Sequence, residues 1–375
     1  MKAPERAAVI DLEAIRHNAR RLVELAAPAQ LMAVVKADGY GHGAVPAARA
    51  ALDGGATWLG VAHISEALAL RAAGIDAPLL AWLHTPDSDL AAAVAADVQL
   101  GCSGWELPLI VAAAESQNRV ARIHLKIDTG LGRNGVTLAD LPALLVEVAT
   151  QQQAGRIEVV GIFSHLAVAD EPERTETDEQ RAEFLASVAL AHEAGVHPTL
   201  RHLANSPAIL TRPDTHFDLV RAGLALYGLS PLVGRSPASL GLRPAMTLTT
   251  RVANCKRVPA GQGVSYGLNY RTSAETTLAL IPLGYADGVP RIATGGPVRV
   301  NGVTYPVVGR IAMDQMVIDL GPEPTGVSVG TEAVLFGSGE NGEPSADDWA
   351  APAGTINYEI VTRISGRVPR VYRNA

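Results

Sequence analysis

Ala33-Val34-Val35-Lys36-Ala37-Asp38-Gly39-Tyr40-Gly41-His42-Gly43 sets the reading of the whole chain. A short apolar run delivers one lysine and then breaks into a loop with three glycines. The run 31–35 reads as a buried strand, since strands covered on both faces are continuous apolar runs. Strand-like and helix-like segments alternate outward from it. Upstream, Leu12, Ile15, Ala19, Leu22 and Val23 fall on one helical face behind Asp11, a fitting N-cap. Downstream, strands are expected at 57–61, 78–82, 98–102, 121–127, 157–163, 199–203 and 216–220. Ala-rich helical segments such as 65–73 and 179–194 lie between them. Eight strands in this alternation make an α/β unit, and their number fits a (β/α)8 TIM-type barrel better than an open sheet.

The texture changes after Leu240. Residues 246–257 alternate like a half-buried strand, 277–282 and 297–319 are strand-rich, and Asn301-Gly302 is a hairpin signal. Long helical patterns stop. The expected division is a barrel over 1–240 carrying Lys36, then a mostly β domain of antiparallel strands over 241–375, with a linker within 230–242.

Bulk composition narrows the function. With 375 residues the chain exceeds the usual size of a single core. Its 48% hydrophobic and 18% charged residues describe a globular protein. A net charge of −7 without a basic cluster argues against nucleic acid as a partner. No apolar run reaches the roughly 18 residues of a membrane helix, and the start does not read as a signal peptide. Cys102 and Cys255 make neither a disulfide framework nor a metal site, so we expect a cytoplasmic protein without a metal.

Four lysines (Lys2, Lys36, Lys126 and Lys256) stand against 27 arginines. A lysine at the end of an apolar strand suggests an amine that must lose its proton, which arginine does not do. Lys36 therefore reads as a Schiff-base former, with pyridoxal phosphate as its expected partner. The bland alternative is a lysine snorkelling beside an ordinary turn. Barrel enzymes work at the C-terminal ends of their strands. Those ends carry Lys36, His63, His84, Asp128, His165, Asn205 and Arg221. Arg122, His124, Lys126 and Asp128 share one strand parity, which inside a barrel demands pairing or a site. Arg133 ends a glycine-punctuated turn and suits a carboxylate. Stretches 202–206 and 221–224 offer hydroxyl and N–H groups to an anion. Tyr266 and Tyr285, two of eight tyrosines, sit in glycine-flanked turns.

Together these stretches closely resemble the bacterial alanine racemases. The likeness begins at 34–43, the cofactor-lysine signature, and continues through Lys126–Arg133, Phe163–His165, Ala204–Ser206 and Val220–Gly223. It runs on through Ser265–Gly267, Gly284–Gly288, Gly309–Gln315 and Ile356–Glu359, in order along nearly the whole chain. The resemblance implies a homodimer whose active sites are each completed by the partner chain, and racemisation of alanine by two bases, for cell-wall peptidoglycan. Lys36, linked to the cofactor, is one base; Tyr266 of the partner subunit is the other. His165 and Arg221 support catalysis, with Arg221 facing the pyridine nitrogen. Tyr40, Asn205, Ser206, Gly223, Leu224 and Tyr358 join the cofactor site, mostly at its phosphate. Arg133 contacts cofactor and substrate carboxylate, and Met313 helps through its N–H. Lys126 matches a lysine that is carbamylated in this family. Asp170, Tyr285, Arg291, Arg310 and Ile356 match the substrate entrance. Ala312 stands where many relatives have cysteine. A racemase acting on serine or lysine, a decarboxylase of the same barrel class and a non-catalytic pyridoxal-phosphate-binding protein are the rival readings; Tyr266 and the second domain favour a racemase.

Overall fold

The computed structural model describes residues 4–374, so Lys2 lies outside them. Two compact units are present. One comprises Ile15–Gly39 and Ala44–Leu242; the other takes the N-terminal stretch through Ala14, Tyr40–Gly43 and the chain from Arg243 onward.

The first strand of the chain is β1 (Arg6–Asp11). Asp11 then caps the helix Leu12–Ala26, its Oδ1 accepting the N–H groups of Glu13 (2.9 Å) and Ala14 (3.3 Å). Eight parallel strands form the barrel unit: β2 (Gln30–Val34), β3 (Trp58–Val61), β4 (Leu79–Ala81), β5 (Gln99–Cys102), β6 (Ala121–Lys126), β7 (Ile157–Phe163), β8 (Leu200–His202) and β9 (Leu219–Ala222). All eight strands expected from the sequence are found, within a few residues at each end. Each pairs with its predecessor from β3 to β8, and β9 returns to pair with β2, Gln30 opposite Leu219. That order rolls the sheet into a nearly closed barrel. Two backbone bonds join β8 to β9 across the seam: Asp218 N–H to Arg201 C=O (3.1 Å) and Arg221 N–H to Ala204 C=O (3.0 Å). Met32, Trp58, Leu80, Leu200 and Leu219, from five strands, pack as one buried cluster, so the interior is a core and not a pore.

In the other unit follow β10 (Met246–Arg251), β11 (Asn254–Val258), β12 (Gly263–Val264), β13 (Tyr270–Arg271), β14 (Thr276–Ile281), β15 (Pro297–Val300), β16 (Val303–Val308), β17 (Met316–Asp319), β18 (Glu332–Phe336) and β19 (Arg370–Arg373). Nine strands form one sheet in the order β11-β14-β17-β16-β15-β18-β10-β1-β19, and β12 pairs with β13. Alternate residues of β10 are buried, as its pattern requires. The pairing is antiparallel except between β1 and β19. Strand β1 was not anticipated: its pairing partner β10 lies some 240 residues on, and nothing local marks it. Short helices Ala346–Ala353 and Asn357–Thr362 complete the unit. Among the described residues no helix is long and apolar enough to cross a membrane.

The hairpin between β15 and β16 turns on Asn301 (φ 47°) and Gly302 (φ 81°), with Val300 opposite Val303. Both positive φ values match a two-residue type I′ turn. A Cβ at Gly302 meets nothing within 4 Å, so Gly302→Val isolates the backbone cost. Stability should fall by about 1–3 kcal/mol, read as a lower denaturation midpoint; an unchanged midpoint would contradict the left-handed turn.

Candidate active site

Lys36 follows β2 at the C-terminal mouth of the barrel, half-buried. The chain after it does not continue as an ordinary loop. Ala37, Asp38, Gly39 and Tyr40 all stand near φ +50 to +60°, a left-handed helical turn. Such a turn costs roughly 1–2 kcal/mol at each residue that bears a Cβ, so other bonds must hold it. Gly39 N–H reaches Val35 C=O (2.9 Å), Ala44 N–H reaches Asp38 Oδ1 (2.8 Å), and Ala37 N–H reaches Glu66 Oε1 (2.6 Å). Glu66 Oε2 accepts the N–H groups of Ala62 (2.9 Å) and His63 (3.0 Å) at the end of β3. One carboxylate thus ties two strand ends together beside the lysine. Glu66 was not singled out from the sequence.

Lys36, Lys126, Arg133, His165 and Arg221 form one electrostatic cluster in the barrel unit. Burial and then Arg133 push the Lys36 amine below its ordinary range, against a smaller raising effect of Glu66. Burial, reinforced by Arg221 and Arg133, lowers Lys126 to about 8. His165 is driven well below the usual histidine range by burial and then by Arg221. It is therefore neutral. Lys126 and Arg221 both lie over the Phe163 ring, 5.6 and 5.5 Å from its centre. Asp128 Oδ1 accepts the N–H groups of Gly130 and Gly132, each at 3.1 Å, and so shapes the turn that delivers Arg133. A cleft lined by Lys126, Asp128, Arg133 and His165 opens there.

Arg221 is buried within β9, not after it. Its guanidinium donates to the carbonyls of Ser164 (2.6 Å), His202 (2.8 Å) and Leu203 (3.2 Å), and meets His165 Nδ1 at 3.5 Å. Ser206 Oγ, also buried, accepts the N–H groups of Gly223 (3.0 Å) and Ala225 (3.3 Å), so the loops after β8 and β9 converge on one hydroxyl next to Leu224. Asn205 caps the helix Ser206–Thr211 through Ala208 N–H and donates to Leu166 C=O (3.5 Å). Other strand-end residues have plainer places. His63 is exposed, and His84 is a buried histidine lowered to about 4 by burial. Arg122 faces outward, ion-paired with Asp97 (3.2 Å) and Glu158 (3.5 Å), while His124 and Lys126 of the same parity are buried. Asp170 is exposed on the loop after β7.

The β unit groups the other expected residues. Tyr266 is 71% exposed, in a turn where Ser265 (φ 60°) donates its hydroxyl to Arg310 C=O (2.6 Å). A groove beside it is lined by Ser265, Tyr266, Ala312 and Gln315. Met313 is half exposed, and its C=O accepts Ala286 N–H (3.0 Å) while Ala312 C=O accepts Tyr285 N–H (3.1 Å). Gly284 permits that approach: a Cβ there would stand 2.3 Å from Ala312 O. Tyr285, Arg291, Arg310 and Ile356 are exposed. Tyr40 and Tyr358 bring their ring centres to 6.3 Å; burial and then Tyr358 push the Tyr40 phenol up, so it stays a hydroxyl.

Profiles of known families decide what this arrangement belongs to. The alanine racemase N-terminal domain matches residues 10–231 and the alanine racemase C-terminal domain matches 245–372. The chain belongs to the alanine racemase family. Alanine racemase of Frankia casuarinae is 56% identical over 369 residues, 97% of this chain and 95% of that protein. That of Salinispora arenicola is 57% identical over 366 residues, 97% of each. A crystal structure of alanine racemase from D-cycloserine-producing Streptomyces lavendulae matches with a TM-score of 0.98 at 53% identity, covering 100% of this chain and 98% of that one. Membership makes the protein a racemase of the pyridoxal-phosphate-dependent class, an isomerase, with the expected barrel and β domain.

The residues of this chain fit that cofactor. An imine needs an amine that can be neutral, and Lys36 is lowered toward that state. A phosphate needs donors, and the Ser206 hydroxyl, whose oxygen takes the Gly223 and Ala225 amides, keeps its own O–H proton to give. The cationic cluster adds charge of the right sign for an anion. Glu66 provides a test of the electrostatics. A carboxylate favours a neighbouring ammonium, so Glu66→Gln should lower the Lys36 pKa further in cofactor-free protein. Competitive acetylation of Lys36 across pH, read by peptide mass spectrometry, should show its midpoint moving to lower pH; an unmoved or raised midpoint removes Glu66 from this role.

Proposed function

We propose that this protein interconverts L- and D-alanine with two bases, Lys36 and Tyr266 of the partner subunit, on pyridoxal phosphate, and that it supplies D-alanine for peptidoglycan. The observation that carries the reading is the Lys36 amine, depressed by burial and by Arg133 at the mouth of a barrel. Bound pyridoxal phosphate would supply the electron sink that makes the α-proton of alanine acidic. Racemisation takes a proton from one face and returns one to the other. Lys36, once free, holds or takes the proton on its side. Tyr266, largely exposed on its turn, suits a phenol presented to a second copy of the chain. An ordinary phenol titrates near 10, so a phenolate base needs a donor beside it. His165 accepts from Arg221 at Nδ1 and hence carries its own proton on Nε2, ready to donate.

Arg221 would face the cofactor's ring nitrogen, where a guanidinium donates a hydrogen bond without giving up its proton. Asn205, Ser206, Gly223, Leu224, Tyr40 and Tyr358 are the proposed cofactor holders, mainly at its phosphate. Arg133 and the Met313 N–H of the partner subunit would take the substrate carboxylate. Asp170, with the partner subunit's Tyr285, Arg291, Arg310 and Ile356, would line the entrance. Met313 acts through its backbone, so Ala312 in place of cysteine leaves that role intact.

Lys126 has a further role in this reading. A lysine near 8 has a sizeable neutral fraction at neutral pH, and only the neutral amine adds to carbon dioxide. The resulting carbamate is an anion and would orient Arg133.

Loss of optical rotation from L-alanine tests the activity most directly, and a panel of other L-amino acids tests its breadth. Borohydride trapping should fix the cofactor on Lys36, and covalent trapping in Lys36→Ala would refute the assignment. Tyr266→Phe should slow α-deuterium exchange of L-alanine far more than that of D-alanine; equal loss from both would sink the two-base assignment. Mixing Lys36→Ala with Tyr266→Phe protein should restore activity if sites are shared between subunits; no recovery despite subunit exchange argues against sharing. Protein equilibrated with 13C-bicarbonate should show a carbamate carbon signal that disappears in Lys126→Ala.

A further inference from the structure

Arg221 is buried, and among the described residues its guanidinium meets carbonyls and imidazoles and no acid. A guanidinium left in a core without a counter-ion needs acceptors. Three carbonyls supply part of that need. The rest leads away from the mouth, into a buried row that the proposed mechanism does not use. Arg221 Nη1 meets His202 Nδ1 at 3.2 Å. His202 Nε2 meets His124 Nδ1 at 2.9 Å, and His124 Nε2 meets Gln99 Oε1 at 2.8 Å. Both rings are fully buried, and Gln99 is 5% exposed.

The donor rules fix every proton in this row. A guanidinium only donates, so His202 Nδ1 is a lone pair and its proton sits on Nε2. That proton points at His124 Nδ1, which must therefore accept, leaving the His124 proton on Nε2. An amide oxygen only accepts, so Gln99 Oε1 ends the row. A second proton on either ring would set two donors face to face. Burial first of all holds both imidazoles in their neutral form, with Arg221 adding to it at His124, and His124 and then Arg221 at His202; His124 is lowered to about 3 and His202 well below the usual range. The rings cannot turn to escape the arrangement. His202 stacks on Phe163 at 4.7 Å and 5°. His124 stands edge-on to Trp58 at 5.6 Å, and a Cβ on Gly161 would come within 2.3 Å of its Nδ1.

We propose that Gln99, His124 and His202 are positioning residues that form a one-way hydrogen-bond chain, ended by a neutral amide, which holds Arg221 in place and leaves its positive charge un-neutralised. A carboxylate at position 99 would satisfy the same geometry and cancel much of that charge. The amide keeps the charge available to what lies on the other side of Arg221, His165 first. The bearing on turnover rests on the proposed role of Arg221; the proton positions do not.

The test uses holoenzyme labelled with 15N-histidine. Long-range 1H–15N correlation at neutral pH should show His124 and His202 both neutral, protonated on Nε2 and bare on Nδ1, with assignments made by single substitution. An Nδ1-protonated ring or an imidazolium at either position overturns the chain, and this spectrum decides it whether or not the racemase reading holds. The second arm is Gln99→Glu, near-isosteric, with Gln99→Met as the uncharged control. In folded, cofactor-loaded Gln99→Glu the His124 Nε2 proton should move downfield, and kcat should fall about tenfold with KM little changed. A kcat equal to wild type in that variant overturns the functional role. Equal losses in kcat for the two variants, without a downfield proton in Gln99→Glu, reduce Gln99 to a packing residue and overturn it as well.

Discussion

Burial of the Arg221 side chain without a counter-ion is the constraint around which the barrel unit is arranged. The seam between β8 and β9 lacks a full ladder and is bridged by two backbone hydrogen bonds. The Arg221 guanidinium crosses the same region, binding carbonyls at the ends of β7 and β8 from its place in β9. Carbonyls at those strand ends form the cation's solvation shell. Closure of the barrel and placement of a positive charge at its core are therefore one structural solution. Removing the side chain would leave several buried acceptors unmet, a larger cost than the loss of one surface charge.

The Arg221 charge reaches Lys126 and His165, and that of Arg133 reaches Lys36. Lys36, Lys126 and His165 are each lowered by burial and then by surrounding cations. The few acids nearby, Glu66 and Glu106, only partly offset this. Such a cluster is costly in an empty barrel and favourable once an anion enters, which suits a phosphate-bearing cofactor and a carboxylate substrate. Preorganised cations need not rearrange when charge arrives. The strained turn after Lys36 follows the same economy. Its left-handed residues are held by Glu66, Asp38 and Val35, so the lysine leaves the strand in one direction.

Legibility followed the range of each interaction. The eight barrel strands could be read because parallel strands buried on both faces are written as local apolar runs, and the hairpin at Asn301-Gly302 because its turn chemistry is local. Strand β1 could not, since its partners lie at the far end of the chain. The residues expected at the cofactor came from resemblance to a known family; residue chemistry by itself singled out Lys36 and the strand ends. Glu66 was hidden because an acid at the third position of a helix is ordinary. His124 was noticed for its inward parity, but Gln99, a polar residue inside a short strand, gave no sign that it terminates a row of three side chains. Arg122 shows the converse: it shares parity with His124 in the sequence, but the ladder with β7 shifts register between Ile123 and His124, and Arg122 is exposed and forms surface ion pairs.

The division of labour between lysine and arginine ties these points together. Arginine supplies nearly all the positive charge of the chain, 27 of 31 basic residues. Within the barrel the two lysines, Lys36 and Lys126, occupy positions where burial and neighbouring arginines depress the amine. Burial comes first in lowering both amines, and the field of Arg133, joined at Lys126 by that of Arg221, lowers them further. Exchanging the roles would fail in both directions. Arginine at 36 has no accessible neutral state and forms no imine. Lysine at 221 has three donors on one nitrogen, too few and too compact to reach the carbonyls of β7 and β8 and His202 together.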